Sequence, residues 1–351
     1  MTPPQAAAKL SRFLEAVSNV TPKVRGDYDA LALVEAHASL QPFPIEELDF
    51  EAARKNPTIA DAVRVLLEST GHTTDPESLV PGVTSRDITV DGAEGPLPAR
   101  VYTPEGAAPF PVVVYFHGGG WVLADKDVYD GGARGLCKQS GAIVVSVDYR
   151  RAPEHPFPAA WDDALAAYEW VIDHAASLGG DPARIALAGE SAGGNLALAT
   201  AIAARDSQLV QPVHVLAVYP VTQTGLDTAS YLENAAAKPL NRAMMQWFFE
   251  HTVEDEADLE DQRLQLIDAE LEGLPSVTLI TAELDPLRCD SVKLQSALEA
   301  ADVEVERRDY QGVAHEFFGC AAVLAKAREA QQFAGERLRE AFTNSQTRRA
   351  Q

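Results

Sequence analysis

Cysteine is scarce in this chain. Cys137, Cys289 and Cys320 are the three in 351 residues, an odd count with no C-x-x-C. That excludes a disulfide framework and a thiolate zinc cluster, and a reducing compartment is the simplest account, so a cytoplasmic protein is expected. Cations are short as well: 29 Lys and Arg face 52 Asp and Glu, a formal net charge of -23. Such a surface repels phosphate backbones and anionic bilayers, so neither nucleic acid nor membrane is an expected partner. No apolar run approaches a membrane span. The segment Met1 to Val20 carries Lys9, Arg12 and Glu15 and has no continuous apolar stretch, so it does not read as a signal peptide. Phosphate-loop and H-E-x-x-H patterns are missing, and Gly118-Gly119-Gly120 is followed by Leu123 where a dinucleotide fingerprint needs a small residue. No cofactor and no metal is therefore expected.

What the chain has is ample apolar content, 46%, enough for a buried core. Leu10, Phe13, Leu14 and Val17 share one helical face, as do Ile59, Val63, Leu66 and Leu67, with Pro42 and Pro44 breaking the pattern between them. Strands then alternate with helices. Strand-like runs are Asp87 to Val90, Ala99 to Tyr102, Val112 to Phe116, Ala142 to Val147, Ile185 to Ala188, Val213 to Tyr219, Val277 to Thr281 and Val303 to Tyr310. Trp161, Leu165, Tyr168 and Ile172 mark one intervening helix face, and Leu196, Ala199 and Ala203 the next. An Ala/Glu/Arg-rich helix closes the chain. The alternation implies an α/β fold with a mostly parallel central sheet and helices on both faces.

Residues 223–272 break the rhythm. Met244, Met245, Trp247, Phe248 and Phe249 either line an apolar pocket or form the insertion's own small core, and the acidic run from Glu254 to Asp261 reads as a solvated face. The division that follows is 1–80 helical, 81–222 and 273–343 the two parts of the α/β core, 223–272 an insertion, and 344–351 a polar tail.

The chemistry is concentrated in Gly189-Glu190-Ser191-Ala192-Gly193, between a strand and a helix. G-x-S-x-G in that context forces a tight turn that lifts the serine hydroxyl clear of the sheet. A serine needs a base, and the base an orienting acid. His315 follows the last strand, and Asp285 the strand before it, giving the order Ser191, Asp285, His315 of an α/β-hydrolase. Glu283 and Asp290 compete with Asp285 for the acid's role. His117-Gly118-Gly119-Gly120-Trp121 follows a buried strand, and its bare amides, with that of Ala192, suit an oxyanion. His117 is read as a brace for this loop.

These motifs, together with the run from Asp148 to Ala160 (Asp-Tyr-Arg-Arg-Ala-Pro-Glu-His-Pro-Phe-Pro-Ala-Ala) and Asp285-Pro286-Leu287-Arg288, resemble the bacterial hormone-sensitive-lipase-like esterases over about Arg100 to Phe318. The resemblance implies an α/β-hydrolase fold with a helical cap drawn from the N-terminal helices and the insertion. It implies Ser191 as nucleophile, His315 as base, Asp285 as acid, and Gly119, Gly120 and Ala192 as the oxyanion hole. It implies a cofactor-free carboxylesterase for small-molecule esters of short to medium acyl chains, often homodimeric. An amidase, lactonase or deacetylase would use the same parts, and a non-catalytic binding protein of the same fold is the reading from another class. Three positions depart from the family pattern: Glu190 where Asp is common, Arg151 where an apolar residue is usual, and Cys289 where Asp is usual.

Overall fold

The computed structural model describes residues 27–350. The expected helical face at Leu10 to Val17, the segment Met1 to Val20 and Gln351 lie outside the described residues. Eight strands form one sheet in the order β1-β2-β4-β3-β5-β6-β7-β8. They are β1 (Val83–Gly92), β2 (Gly95–Pro104), β3 (Phe110–Phe116), β4 (Ile143–Val147), β5 (Gly180–Glu190), β6 (Val215–Val218), β7 (Val277–Leu284) and β8 (Val305–Ala314). The pairs β1/β2 and β2/β4 are antiparallel, and every pair from β4 through β8 is parallel. The central strands β3 and β4 read as nearly continuous apolar runs, interrupted by the buried Ser146, because both of their faces are covered.

The eight longer helices are α1 (Tyr28–Ser39), α2 (Ile59–Ser69), α3 (Asp130–Ser140), α4 (Ala159–His174), α5 (Ala192–Asp206), α6 (Arg242–Thr252), α7 (Arg288–Ala300) and α8 (Ala325–Ala350). Thr58 and Asp61 start α2 with a reciprocal capping box. Two hydrophobic clusters occupy the two faces of the sheet. One gathers α4, α5 and α6 side chains such as Trp161, Leu196 and Phe249, and the other gathers α3 and α8 with Leu136, Phe333 and Leu338.

The inward face of α4 differs from the expected one. Trp161 and Tyr168 are buried, but Leu165 and Ile172 are only half-buried, and Ala164, Ala167 and Val171 meet the sheet. Small residues let the helix axis approach the strands more closely than a leucine would. Residues 344–350, read as a tail, continue α8.

Parallel pairing fixes where the chemistry goes. Glu190 pairs with Val218, Leu284 with Ala314 and Phe116 with Gly189. The residues that follow, Ser191, Asp285, His315 and the His117 loop, therefore all emerge at the carboxyl ends of neighbouring strands, the edge where open α/β sheets bind ligands. Above that edge lie residues 28–80 and 223–272. Trp247 Nε1 donates to the Leu48 carbonyl at 3.0 Å and Asn241 Nδ2 to Glu46 Oε1 at 3.3 Å, joining the two segments.

Candidate active site

Ser191 sits at φ 57°, ψ -119°, in the left-handed half of conformational space that a serine rarely takes. Its neighbours hold it there. The Ser191 amide donates to Val218 at 2.8 Å, and the Ser191 carbonyl accepts from Asn195 and Val221 at 3.1 and 3.3 Å. The turn needs bare backbone around it: a Cβ on Gly193 would lie 2.0 Å from the Phe116 carbonyl oxygen. The backbone crowding that makes this glycine obligatory is what presses the elbow against the His117 loop.

The Ser191 hydroxyl lies 2.9 Å from His315 Nε2, and His315 Nδ1 lies 2.7 Å from an Asp285 carboxylate oxygen. All three side chains are buried. Asp285 is further fixed by the Leu287 amide, which donates to its other oxygen at 2.9 Å. Of the two competing acids, Glu283 accepts from the Gly312 amide at 2.9 Å and Asp290 from Gln223 at 3.0 Å, so neither holds His315. Burial pushes the His315 pKa down, but the charge and hydrogen bond of Asp285, with Glu316 and Glu190 behind it, outweigh that and leave it raised.

The loop after β3 carries its amides on left-handed backbone, with φ 101° at Gly119 and 59° at Gly120. The Gly119 carbonyl turns inward and accepts from Val122 and Leu123 at 3.1 and 2.8 Å. A Cβ on Gly120 would meet the Phe248 ring at 2.2 Å, so the insertion closes directly onto this loop. His117 braces it from below. Its Nδ1 donates to the Gly118 carbonyl at 2.7 Å, its ring stacks on Tyr149 at 4.3 Å, and its own carbonyl accepts from the Tyr149 hydroxyl at 2.9 Å. Burial outweighs the Asp148 charge and lowers the His117 pKa, so this imidazole stays neutral.

Gly119, Gly120, Ser191 and His315 line a cavity of about 390 Å³. Met244 and Phe248 help to form its walls, with Pro44 and Ile45 from the N-terminal segment, whereas Trp247 and Phe249 pack elsewhere. The insertion's apolar residues thus serve both of the uses that its sequence allowed. A second cavity, about 400 Å³, also reaches His315 and shares Val34, Ile59, Lys238 and Pro239 with the first, whereas Ser191 lines the first alone of these two.

Sequence reasoning missed three supports. Glu190, given no role, is buried and accepts hydrogen bonds from Tyr115 and from Tyr219, the latter at 2.5 Å. The Tyr219 ring in turn lies against His315, with ring centroids 4.4 Å apart. Burial, against the two tyrosine hydroxyls, pushes the Glu190 pKa up to about 7. The third support is Arg54, whose Nε donates to the Val122 carbonyl at 2.8 Å while an Nη donates to the Ala152 carbonyl at 2.9 Å. No local pattern marks Tyr219 or Arg54, and the departure at Glu190 carries no sign of its partners, since each residue acts on a distant segment.

Arranged in this way, a hydroxyl, an imidazole and a buried carboxylate beside bare amides can carry out acyl transfer. Among the described residues no group of three His, Cys, Asp or Glu side chains could hold a metal ion, and no helix is long and apolar enough to cross a membrane.

A family profile described as the alpha/beta hydrolase fold matches residues 113–319. The chain is 41% identical over 280 residues to the carboxylesterase NlhH of Mycobacterium tuberculosis, covering 78% of this chain and 88% of that one. It is 31% identical over 307 residues to an ethyl acetate hydrolase of Pseudomonas putida, covering 85% and 93%. Among solved structures, an esterase of Pyrobaculum calidifontis superposes with a TM-score of 0.79 at 36% identity, covering 87% of this chain and 97% of that one.

Proposed function

The chain belongs to the alpha/beta-hydrolase fold family, and from that premise we infer that it is a serine carboxylesterase acting on small-molecule esters of short to medium acyl chains. The observation that carries the reading is the buried relay from Ser191 through His315 to Asp285, opening into the cavity beneath Met244 and Phe248.

The Ser191 oxygen attacks the ester carbonyl carbon while His315 Nε2 takes the hydroxyl proton. Asp285 keeps the proton on Nδ1 beforehand and stabilises the imidazolium afterwards. Negative charge develops on the carbonyl oxygen, facing the amides of Gly119, Gly120 and Ala192. Collapse of the adduct expels the alcohol, which takes the proton from His315 and leaves an acyl-serine. Water, deprotonated by the same imidazole, attacks the acyl-serine, and the carboxylic acid leaves as Ser191 regains its proton. The raised His315 pKa suits it to both proton transfers.

The walls contributed by residues 28–80 and 223–272 act as a cap that bounds acyl length, with rates falling beyond about ten carbons. A homodimer in the cytoplasm completes the reading. Its supports are the family resemblance, the free state of all three cysteines and the strongly negative charge. The test is a chain-length series of 4-nitrophenyl esters with matched anilides, run with and without a serine-directed phosphonate. Phosphonate-sensitive ester turnover peaking at short to medium chains supports the reading. Turnover insensitive to the phosphonate, or preferring the anilides, overturns it.

A further inference from the structure

Arg151 stands where the family resemblance places an apolar residue, and it lines the same cavity as Ser191. It is half-buried. Among the described residues no carboxylate lies within ion-pair distance of it, and its one hydrogen bond goes to the Ala124 carbonyl. Of the two acids three residues away in sequence, Glu154 is taken up at both oxygens by Arg54, at 2.6 and 2.8 Å, and Asp148 by the amide and ammonium of Lys126, at 2.6 and 3.1 Å. The cavity's own acids make their hydrogen bonds to other groups: Asp125 Oδ1 accepts from the amides of Asp127 and Val128 at 3.0 and 3.1 Å, and Glu316 Oε1 from the Tyr129 hydroxyl at 3.1 Å. A second cation, Lys238, is exposed on the wall shared by the two cavities. In a chain with net charge -23, cations placed at the pocket work against the field of the whole molecule.

Resting on the esterase reading, we propose that Arg151 is a specificity residue that binds a second carboxylate on the substrate, so that the preferred esters are half-esters of dicarboxylic acids. A guanidinium presents a planar fork of donors matched to the two oxygens of a carboxylate. One of its five N–H groups is used by Ala124, and the remainder are available to the ligand. Bound there, the remote carboxylate orients the acyl chain along the cavity while the ester carbonyl faces the amides of Gly119 and Gly120. Hydrolysis then releases a dicarboxylic acid and an alcohol, with no change to the steps at Ser191.

The experiment compares 4-nitrophenyl hydrogen glutarate with 4-nitrophenyl valerate, a neutral ester of equal chain length, in the wild-type enzyme and in Arg151→Leu and Arg151→Lys. In the wild type, raising salt from about 0.05 to about 0.5 M is expected to raise KM for the charged ester and leave the neutral one unmoved. In Arg151→Leu the charged-to-neutral ratio of kcat/KM is expected to fall about tenfold or more, mainly through KM, with Arg151→Lys between the two. A ratio that stays within about twofold, or a wild-type KM for the charged ester that ignores salt, overturns the proposal; the salt arm decides it even if the leucine variant fails to fold. Ser191→Ala run beside them separates the premises: if that variant still turns over the valerate, the esterase reading itself fails.

Discussion

Arg54 grips both carboxylate oxygens of Glu154, at 2.6 and 2.8 Å, with the same guanidinium that holds the carbonyls of Val122 and Ala152. The N-terminal segment thereby clasps the far end of the loop that begins at His117. Arg54→Ala is expected to release that loop and lower kcat by about tenfold, a loss of positioning of the kind that small displacements cause. The ion pair itself is partly exposed, with Glu154 at 46%, so the accompanying fall in melting temperature should be only a few degrees, on the order of 1 kcal/mol. Steady-state kinetics and a melting curve on one preparation check it. Unchanged kcat would show that the loop does not need the clasp.

Removing the proposed nucleophile is expected to cost far more. Ser191→Ala should retain wild-type circular dichroism and lose roughly four or more orders of magnitude in kcat. Alanine at φ 57° is strained as serine is, so stability should change little. Full residual turnover would place the chemistry elsewhere.

The rate should rise with pH as His315 loses its proton, because the base must be neutral. Its pKa is raised by Asp285 against the lowering effect of burial, so the acid limb of kcat/KM should lie above that of an ordinary histidine. Asp285→Asn removes the charge that holds the proton, and the limb should move to lower pH while the rate falls. A limb that stays in place would show that Asp285 does not set it.

Glu190 gives an independent pH test through stability. Its folded pKa of about 7 lies above the ordinary 4.5, so between those values the folded state binds more protons than the unfolded one, and stability falls as pH rises. Glu190→Gln lacks that slope. The melting temperature of the variant relative to wild type should therefore climb from pH 5 to pH 8 and level off above. A constant difference would mean that the carboxyl titrates normally.

A Cβ at residue 120 would strike the Phe248 ring at 2.2 Å on backbone that already favours glycine. Gly120→Ala should lower kcat about tenfold or more by shifting an amide proposed to face the developing oxyanion. Adding Phe248→Ala opens the space and should restore part of the rate, which a kinetic comparison of single and double variants will show.

Ser191, His315 and the glycine loop were legible as candidates in the sequence because each is marked by a local signature, G-x-S-x-G, a histidine after the last strand, and three consecutive glycines. Asp285 was legible as one of three acids; only the β7/β8 register, with Leu284 beside Ala314, sets it against His315 and leaves Asp290 to Gln223. The mostly parallel sheet was likewise implied by alternation, while the strand order and the ends of the strands depended on neighbours.

Tyr219 and Arg54 had no signature, and Glu190 and Arg151 stood out only as departures from the family pattern. Their meaning lies in partners from other strands and from the segments above the sheet. Local backbone geometry is written in short motifs because glycine, proline and side-chain periodicity act within a few residues. Which buried charge meets which partner is decided only when the chain closes, because contact energies fall off within a few ångströms and depend on distance in space rather than along the chain.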